Sequence, residues 1–300
     1  MRRVSRFGPL PLIFLFTLSL FFSQGCARTL LQTFPVAEDE ARETISAFTR
    51  YQEIYRENCS CCLDAEADVA LSVSGWFSDH TGKLSGYLQA MAPGYIKYVA
   101  LNPLGQPIYI LAINGSEFKS LNVLERKAYS GSVYSETYKK ISPQGFEPKF
   151  SFFWLTGRLE PQELQVMAVR RDREAQAYWL LIRHAASGND SMVLFDPGEL
   201  RVLRHVLLDE KGEHLVNVTY EAYQAEAGQQ KRNSKDNNAV EHAASSDEES
   251  CSVPGRILVS SGSGAQKIEI QLSSLLAGAA FSPEDFEVEV PPDFEYLFVK

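Results

Sequence analysis

Histidine and methionine are scarce in these 300 residues, at five and four. His80, His184, His205, His214 and His242 form no His-x-x-x-His pair and no HExxH, so the common zinc-hydrolase signature is missing. A Walker loop, a Gly-x-Gly-x-x-Gly turn and a Gly-x-Ser-x-Gly elbow are also missing. Ser260-Ser261-Gly262-Ser263-Gly264 has the wrong spacing for that elbow and fits a flexible turn. Paired acids such as Asp64/Glu66 and Glu284/Asp285 fall in turn-like contexts, where solvated charge is the expectation. Catalysis is therefore not expected, although glycosidase carboxylates leave no short signature. Basic residues are outnumbered 29 to 38, for a net charge of −9, and they form no stripe. Such a surface repels phosphate backbones, which argues against a nucleic-acid partner. Apolar residues at 45% and charged residues at 22% exclude both a disordered chain and a polytopic membrane protein.

What is present begins at the first residue. Arg2, Arg3 and Arg6 form a basic n-region, and an apolar run follows from Pro9 to Phe22, broken only by Thr17 and Ser19. That run is short for a bilayer span of about 20 residues but fits a secretory h-region. Ser23, Gln24, Gly25 and Cys26 come next. A small residue before a cysteine is where a bacterial lipoprotein leader is cut, and the segment resembles that lipobox. Ser23 departs from it, since Leu is commoner there. The alternative is an ordinary signal peptide followed by an accidental cysteine. On the lipobox reading, residues 1–25 are a leader and Cys26 is lipidated. Residue 27 is Ala rather than the Asp that retains such proteins in the inner membrane. The expected location is the outer membrane, lipid-anchored and facing the periplasm. Two or three acyl chains hold such an anchor stably.

Beyond Cys26 the cysteines are Cys59, Cys61, Cys62 and Cys251. Four cysteines in an oxidising compartment indicate disulfides, with three possible pairings. Adjacent Cys61 and Cys62 bridge each other poorly, because a vicinal bond strains the peptide. The expected link ties the 59–62 cluster to Cys251. A zinc site is the alternative, but Cys-x-Cys-Cys lacks the usual knuckle spacing.

Residues 26–37 look like a tether. Glu38 to Glu57 has helical spacing, with Ile45, Phe48, Tyr51 and Tyr55 on one stripe and acids in the first turn. From Ala67 the period changes to two: Val69, Leu71, Val73 and Phe77 alternate with small residues, and Leu84, Gly86 and Leu88 continue on the next run. Short linkers at Asp79–Gly82, Ala92–Gly94, Asn102–Gly105 and Asn114–Gly115 separate further alternating runs, which predicts a hairpin meander. More strands are expected at 117–123, 126–130, 164–170, 177–183, 191–196, 199–208, 214–223, 255–260 and 266–272, a pattern of sandwich or barrel. Residues 224–252 are polar, with Val240 as their only branched aliphatic before the closing Cys251 and its neighbour. They are expected to be a disordered insertion within a single domain, 38–300.

Two apolar features stand out. Asn102-Pro103-Leu104-Gly105 fits a type I turn, which puts Leu104 at a hairpin tip where polar residues are usual. It either folds back onto the barrel or probes something outside. Phe150-Ser151-Phe152-Phe153-Trp154-Leu155 carries five large apolar residues in six positions. On a short helix these point nearly all round, as in a buried core helix or a lid over an apolar cavity.

With Val73-Ser74-Gly75 and Phe77, Lys83-Leu84-Ser85-Gly86-Tyr87, and Leu101-Asn102-Pro103-Leu104-Gly105, the stretch 73–131 resembles the LolB family of outer-membrane lipoprotein receptors. Phe153-Trp154-Leu155-Thr156-Gly157 resembles that family's Trp-containing lid helix, and Phe298-Val299-Lys300 its usual end. The cysteine cluster, the 224–252 insertion and Ser23 depart from the family pattern. The resemblance implies a mainly β fold: an unclosed antiparallel β-barrel of LolA/LolB type, with an N-terminal helix and a helical lid over an apolar interior. It implies a monomeric receptor that takes acylated lipoproteins from a LolA-like periplasmic carrier and inserts them into outer-membrane lipid, with no cofactor and no metal. Residue by residue it implies a lid at Phe150, Phe153 and Trp154, a membrane-insertion loop at Pro103, Leu104 and Gly105, and cavity positions at Val73, Phe77, Leu84 and Leu88. The alternatives are a lipid-binding envelope lipoprotein that senses or scaffolds without transfer, and an envelope enzyme such as a carbohydrate hydrolase.

Overall fold

The computed structural model describes residues 33–57, 59, 61–74, 79–136, 138, 148, 151–184, 190–225, 251–262, 264, 266–276 and 280–299. Its strands belong to one sheet. In chain order they are β1 (Thr33–Pro35), β2 (Cys62–Ser74), β3 (Asp79–Met91), β4 (Tyr95–Leu101), β5 (Pro107–Asn114), β6 (Glu117–Asn122) and β7 (Lys127–Ser132). After a short helix come β8 (Leu164–Asp172), β9 (Tyr178–His184), β10 (Asp190–Asp196), β11 (Arg201–Leu208) and β12 (His214–Ala225). The last three are β13 (Ser252–Ser261), β14 (Gln266–Ser273) and β15 (Glu295–Val299). Their spatial order is β1-β8-β9-β10-β11-β12-β13-β14-β2-β3-β4-β5-β6-β7-β15. Neighbours pair antiparallel, except that β15 runs parallel to β7. The border strands β1 and β15 do not pair with each other, so the fold is mainly β and the barrel is unclosed.

Period-two alternation decides what faces inward. On β5, Tyr109, Leu111 and Ile113 join the main core, while Ile110 and Ala112 join a separate outer cluster. On β9, Leu180 and Ile182 point in and Trp179 points out.

Helix α1 (Glu38–Glu57) lies on the inner face, with Glu38, Asp39 and Glu40 in its first turn. Its buried residues are Thr44, Phe48, Tyr51 and Ile54, whereas Ile45 is 37% exposed. The stripe is thus rotated from the one the sequence predicts. Thr44, whose hydroxyl donates back to the Glu40 carbonyl at 2.9 Å, takes the place expected of Ile45. Glu40 anchors the start of the helix by accepting from Tyr178 Oη at 2.7 Å and from Arg171 Nε at 2.9 Å. Beyond the helix, Cys59 and Cys251 form a disulfide with Cα atoms 5.6 Å apart.

On the outer face the segment after β14 runs as a strap. Phe286, closing a 3-10 turn (Pro283–Phe286), packs 5.5 Å from the Tyr95 ring. Val288, Val290 and Phe294 then cover Ala112, Leu121 and Ala128. Lys97 and Lys119 donate from Nζ to the carbonyls of Asp285 and Val288, each at 2.8 Å. These bonds replace a strand ladder that Pro291 and Pro292 would interrupt.

Two expectations need correction. The supposed tether contains β1, a short edge strand whose Thr33 pairs with Asp172 of β8. The supposed insertion is trimmed at both ends, because Gln224 and Ala225 ladder with Val253 and Ser252, and Cys251 is fully buried. Residues 226–250 lie outside the described residues, as do the leader and Cys26. The short helix α2 spans Ser151–Thr156, and Phe150 is outside the described set.

Candidate functional site

Between α2 and strands β2–β6 the inner face holds a half-open cavity of about 300 Å³. Leu88, Ile96, Leu111, Ile113 and Phe118 form one wall, and Ile257, Val259, Ile268 and Ile270 of β13 and β14 form the other. Trp154 and Leu155 of α2 border it, and so does Tyr138. No lining residue carries a charged side chain. The polar groups are hydroxyls. Tyr98 donates to the Leu84 carbonyl at 2.6 Å, and Tyr109 is hydrogen-bonded to Ser120. Burial pushes the Tyr98 and Tyr138 phenols up to about 12, with Asp68 contributing at Tyr98 and Tyr109 at Tyr138. All three phenols stay protonated near neutral pH, the Tyr98 proton being committed to the Leu84 carbonyl.

Helix α2 is set in place from several sides. Ser151 Oγ donates to the Pro148 carbonyl at 2.6 Å and Thr156 Oγ1 to the Phe152 carbonyl at 2.9 Å. Gly157 ends the helix at φ +67°, where a Cβ would stand 2.6 Å from Tyr223 Oη. The Trp154 indole stacks on the His205 ring at 4.8 Å and 13°, and His184 lies parallel beyond it, 6.4 Å from His205. His184 Nε2 is 2.8 Å from Ser191 Oγ and its Nδ1 is 2.8 Å from Gln162 Nε2. Burial presses His205 down to about 3 and lowers His184 as well, so both rings are neutral beside the indole.

The other side of α2 faces a second cavity of about 550 Å³ against α1, lined by Tyr55, Phe152, Phe153 and Arg158 among others. The Arg158 guanidinium lies 5.0 Å from the Tyr55 ring centroid and 5.7 Å from that of Phe152. A buried helix that divides two cavities reconciles the two sequence alternatives for this segment. Phe152, Trp154 and Leu155 are core-buried, yet Trp154 and Leu155 also border the first cavity. Phe153 is half-buried and faces the second.

Of the four expected cavity positions, Leu88 lines the cavity. Leu84 does not: it is 37% exposed and borders an outer groove beside Pro103 and Gly105. It pairs with Val69, a cavity residue, and so has the inward parity, but it sits at the rim where the wall ends. Val73 pairs with Gln266 and His80 in the ladder, and Phe77 lies outside the described residues.

The hairpin tip is built by Asn102. Its carbonyl accepts from Gly105 N at 2.9 Å, and its Oδ1 accepts from the backbone of Leu104 and of Gln106, each at 2.9 Å. Gly105 takes φ +78°, which reverses the chain at no steric cost. Leu104 is left 84% exposed. Cys61 and Cys62 remain outside the disulfide with their sulfurs 3.6 Å apart. Among the described residues, no group of three or more His, Cys, Asp or Glu could hold a metal ion.

The sequence reading passed over Tyr98, Tyr109, Ser120, Tyr138 and the His205 stack. Alternation within 95–101 and 107–113 carried the signal for the first two. Tyr138 and His205 required knowing where α2 lands.

No family model matches the chain, and no curated protein matches it. Solved structures do. A DUF1329 family protein from Desulfovibrio piger superposes with a TM-score of 0.52 at 12% identity, covering 82% of this chain and 97% of that one. A domain assigned to outer-membrane lipoprotein sorting from Vibrio parahaemolyticus gives 0.49 at 11%, covering 83% and 96%. A LolA superfamily protein from Nitrosomonas europaea gives 0.48 at 9%, covering 82% and 97%. At such identities the likeness is one of fold. The fold shared with the DUF1329 structure is a mainly β half-barrel with few helices.

Proposed function

We propose that this protein binds acyl chains in its half-barrel cavity and, anchored through Cys26, receives acylated lipoproteins from a LolA-like periplasmic carrier and delivers them to outer-membrane lipid. No covalent step is involved, and the protein is not an enzyme. The observation that carries the reading is the cavity itself: a half-open, uncharged, largely apolar space bordered by Trp154 and Leu155. Moving a methylene from water into such a space gains about 0.8 kcal/mol, so a shielded path is what an acyl chain needs between two membranes. Hydrolysis of the chain would require a nucleophile among the lining residues, and Ser120 there is bonded to Tyr109 rather than to a base. The lipoprotein-sorting and LolA assignments of the V. parahaemolyticus and N. europaea structures have the same theme.

Leu104 is the delivery element in this reading. At 84% exposure it contributes little to folding, and burying it in lipid is worth about 1.5–3 kcal/mol, enough to bring the protein to a surface but not to hold it there. The test is transfer of a radiolabelled lipoprotein from a LolA-like carrier to this protein and on to liposomes, with Leu104→Glu beside the parent. The variant should accept cargo and fail to release it. Acceptance without release by the parent would favour a lipid-binding sensor or scaffold, and failure to accept cargo would remove the receptor reading.

A further inference from the structure

We propose that Cys61 is a modification site, forming a mixed disulfide with a small acidic thiol, a peptide thiol of the glutathione class, whose carboxylates are held by the guanidinium groups of the second cavity. The inference is separate from acyl transfer. It needs only an oxidising compartment, to which the Cys59–Cys251 bond already points. That bond leaves Cys61 and Cys62, with their sulfurs 3.6 Å apart. The two are adjacent in sequence, where a bond between them would strain the peptide. Thiols that close poorly on each other stay open to an outside disulfide.

The two thiols are not equivalent. Cys61 is exposed and lines the half-open cavity between α1 and α2, and its carbonyl accepts from Ala92 N at 2.8 Å, which fixes the backbone there. Cys62 is half-buried, already the first residue of β2, and laddered to Met91. Burial raises its thiol, with Cys61 adding to the effect, so Cys62 supplies little thiolate near neutral pH. The cavity supplies recognition. Arg158 lines it and, at 5% exposure, is the only buried Lys or Arg among the described residues. Arg56 adds an exposed guanidinium, and Glu160 and Glu163 add carboxylates. A thiol bearing two carboxylates and one ammonium matches that lining, whereas a neutral one finds no charged partner in it. The whole chain carries −9, so a preference for an anionic reagent has to come from local guanidinium groups. In the exchange, the Cys61 thiolate attacks one sulfur of the small disulfide. A new S–S bond forms as the old one breaks, and the second half leaves as a thiolate that takes up the proton Cys61 gave away. Cys61 is oxidised into the mixed disulfide while half of the reagent is reduced to free thiol.

The experiment treats the full acylated chain in dodecylmaltoside with glutathione disulfide, cystamine or hydroxyethyl disulfide, which deliver an anionic, a cationic and a neutral half. Adducts are located by mass spectrometry, and each rate is divided by that of the same reagent with N-acetylcysteinamide, which removes intrinsic reactivity. Glutathione disulfide should then modify Cys61 about tenfold faster than either rival and leave Cys62 unmodified. Arg56→Gln, at an exposed position, should cut that advantage about two- to fivefold without changing the hydroxyethyl rate, and added salt should act in the same direction. Equal normalised rates for the three reagents overturn the recognition by guanidinium groups, as does an advantage that Arg56→Gln leaves intact. Adducts mainly at Cys62, a Cys61–Cys62 bond in place of the adduct, or no adduct with any reagent overturns Cys61 as the site.

Discussion

Over β9–β11 the inner face of the sheet carries α1, whose Phe48 and Tyr51 meet Phe195 at ring distances of 5.4 and 5.5 Å. Over β2–β6 strands of the same alternating kind face a cavity, closed at one side by Trp154 and Leu155. Both halves present apolar side chains inward at every second position. The difference lies in what the rest of the chain sets above them: a twenty-residue helix with aromatic teeth in one case, a six-residue helix in the other. Strand periodicity therefore identifies residues able to line a core, and only the covering elements decide whether that core is full. Around Phe195 the aromatic rings of α1 fill the core, and over β2–β6 the space is left open for binding.

The sharpest way to break this comparison is to truncate one large apolar side chain on each side. Phe195→Ala, at a fully buried position, should cost about 3–5 kcal/mol in urea unfolding. An equally large loss from truncating Ile270 at the cavity wall would mean that the cavity is packed in solution, and the contrast would collapse. The next effect concerns the staple between the end of α1 and β13. Cys59→Ser should lower stability by about 2–4 kcal/mol, and Cys61→Ser should not. Comparing parent and variants with and without reductant checks it, since reductant should bring the parent to the level of the Cys59 variant.

Acid probes the filled half in another way. His205 titrates near 6.5 when unfolded and at about 3 when folded, so the unfolded chain takes up the proton first. The stability contributed by its neutral form is complete above pH 6.5 and is lost progressively as pH falls toward 3, by about 2 kcal/mol at pH 5. His184, also lowered by burial, adds in the same direction. Denaturant midpoints at pH 7.5 and pH 5 should differ accordingly, and His205→Leu should reduce the difference. A pH-independent midpoint would show that the stack is open to water. The smallest effect belongs to the open half: Leu104→Glu should change unfolding by less than about 0.5 kcal/mol. A large drop in melting temperature would place that leucine in the core.

Much of this arrangement was legible in the sequence. The bounds of α1 follow from its acidic first turn and apolar stripe, and most of β2 to β14 follows from alternation punctuated by Gly, Asn and Pro. Yet β2 already begins at Cys62, and the linker expected at Asp79–Gly82 is the start of β3, laddered to β2. The hairpin at Asn102–Gly105 was readable because each residue has its own turn chemistry. Three features were not legible, for physical reasons. Thr33–Pro35 is too short to have a period, and it becomes a strand only because β8 offers it an edge. The strap around Phe286, Val288 and Val290 alternates like a strand but bonds through lysine ammonium groups, a choice that depends on distant partners. Leu84 has the right parity and the wrong height, since alternation specifies the face of a sheet but not where its wall stops.

The Cys59–Cys251 bond also governs how the protein survives being cut. A break anywhere in 226–250 leaves Cys59 in the first fragment and Cys251 in the second. The second fragment contributes β13 and β14, which are wedged between β12 and β2 of the first. Such a nicked molecule remains one covalent object until a reductant divides it in two, and even then the smaller piece is gripped by a strand on each flank. The stretch between Ala225 and Cys251 is thus a natural place to open the chain, for a protease or for new termini in a circular permutant, with the disulfide serving as the splint.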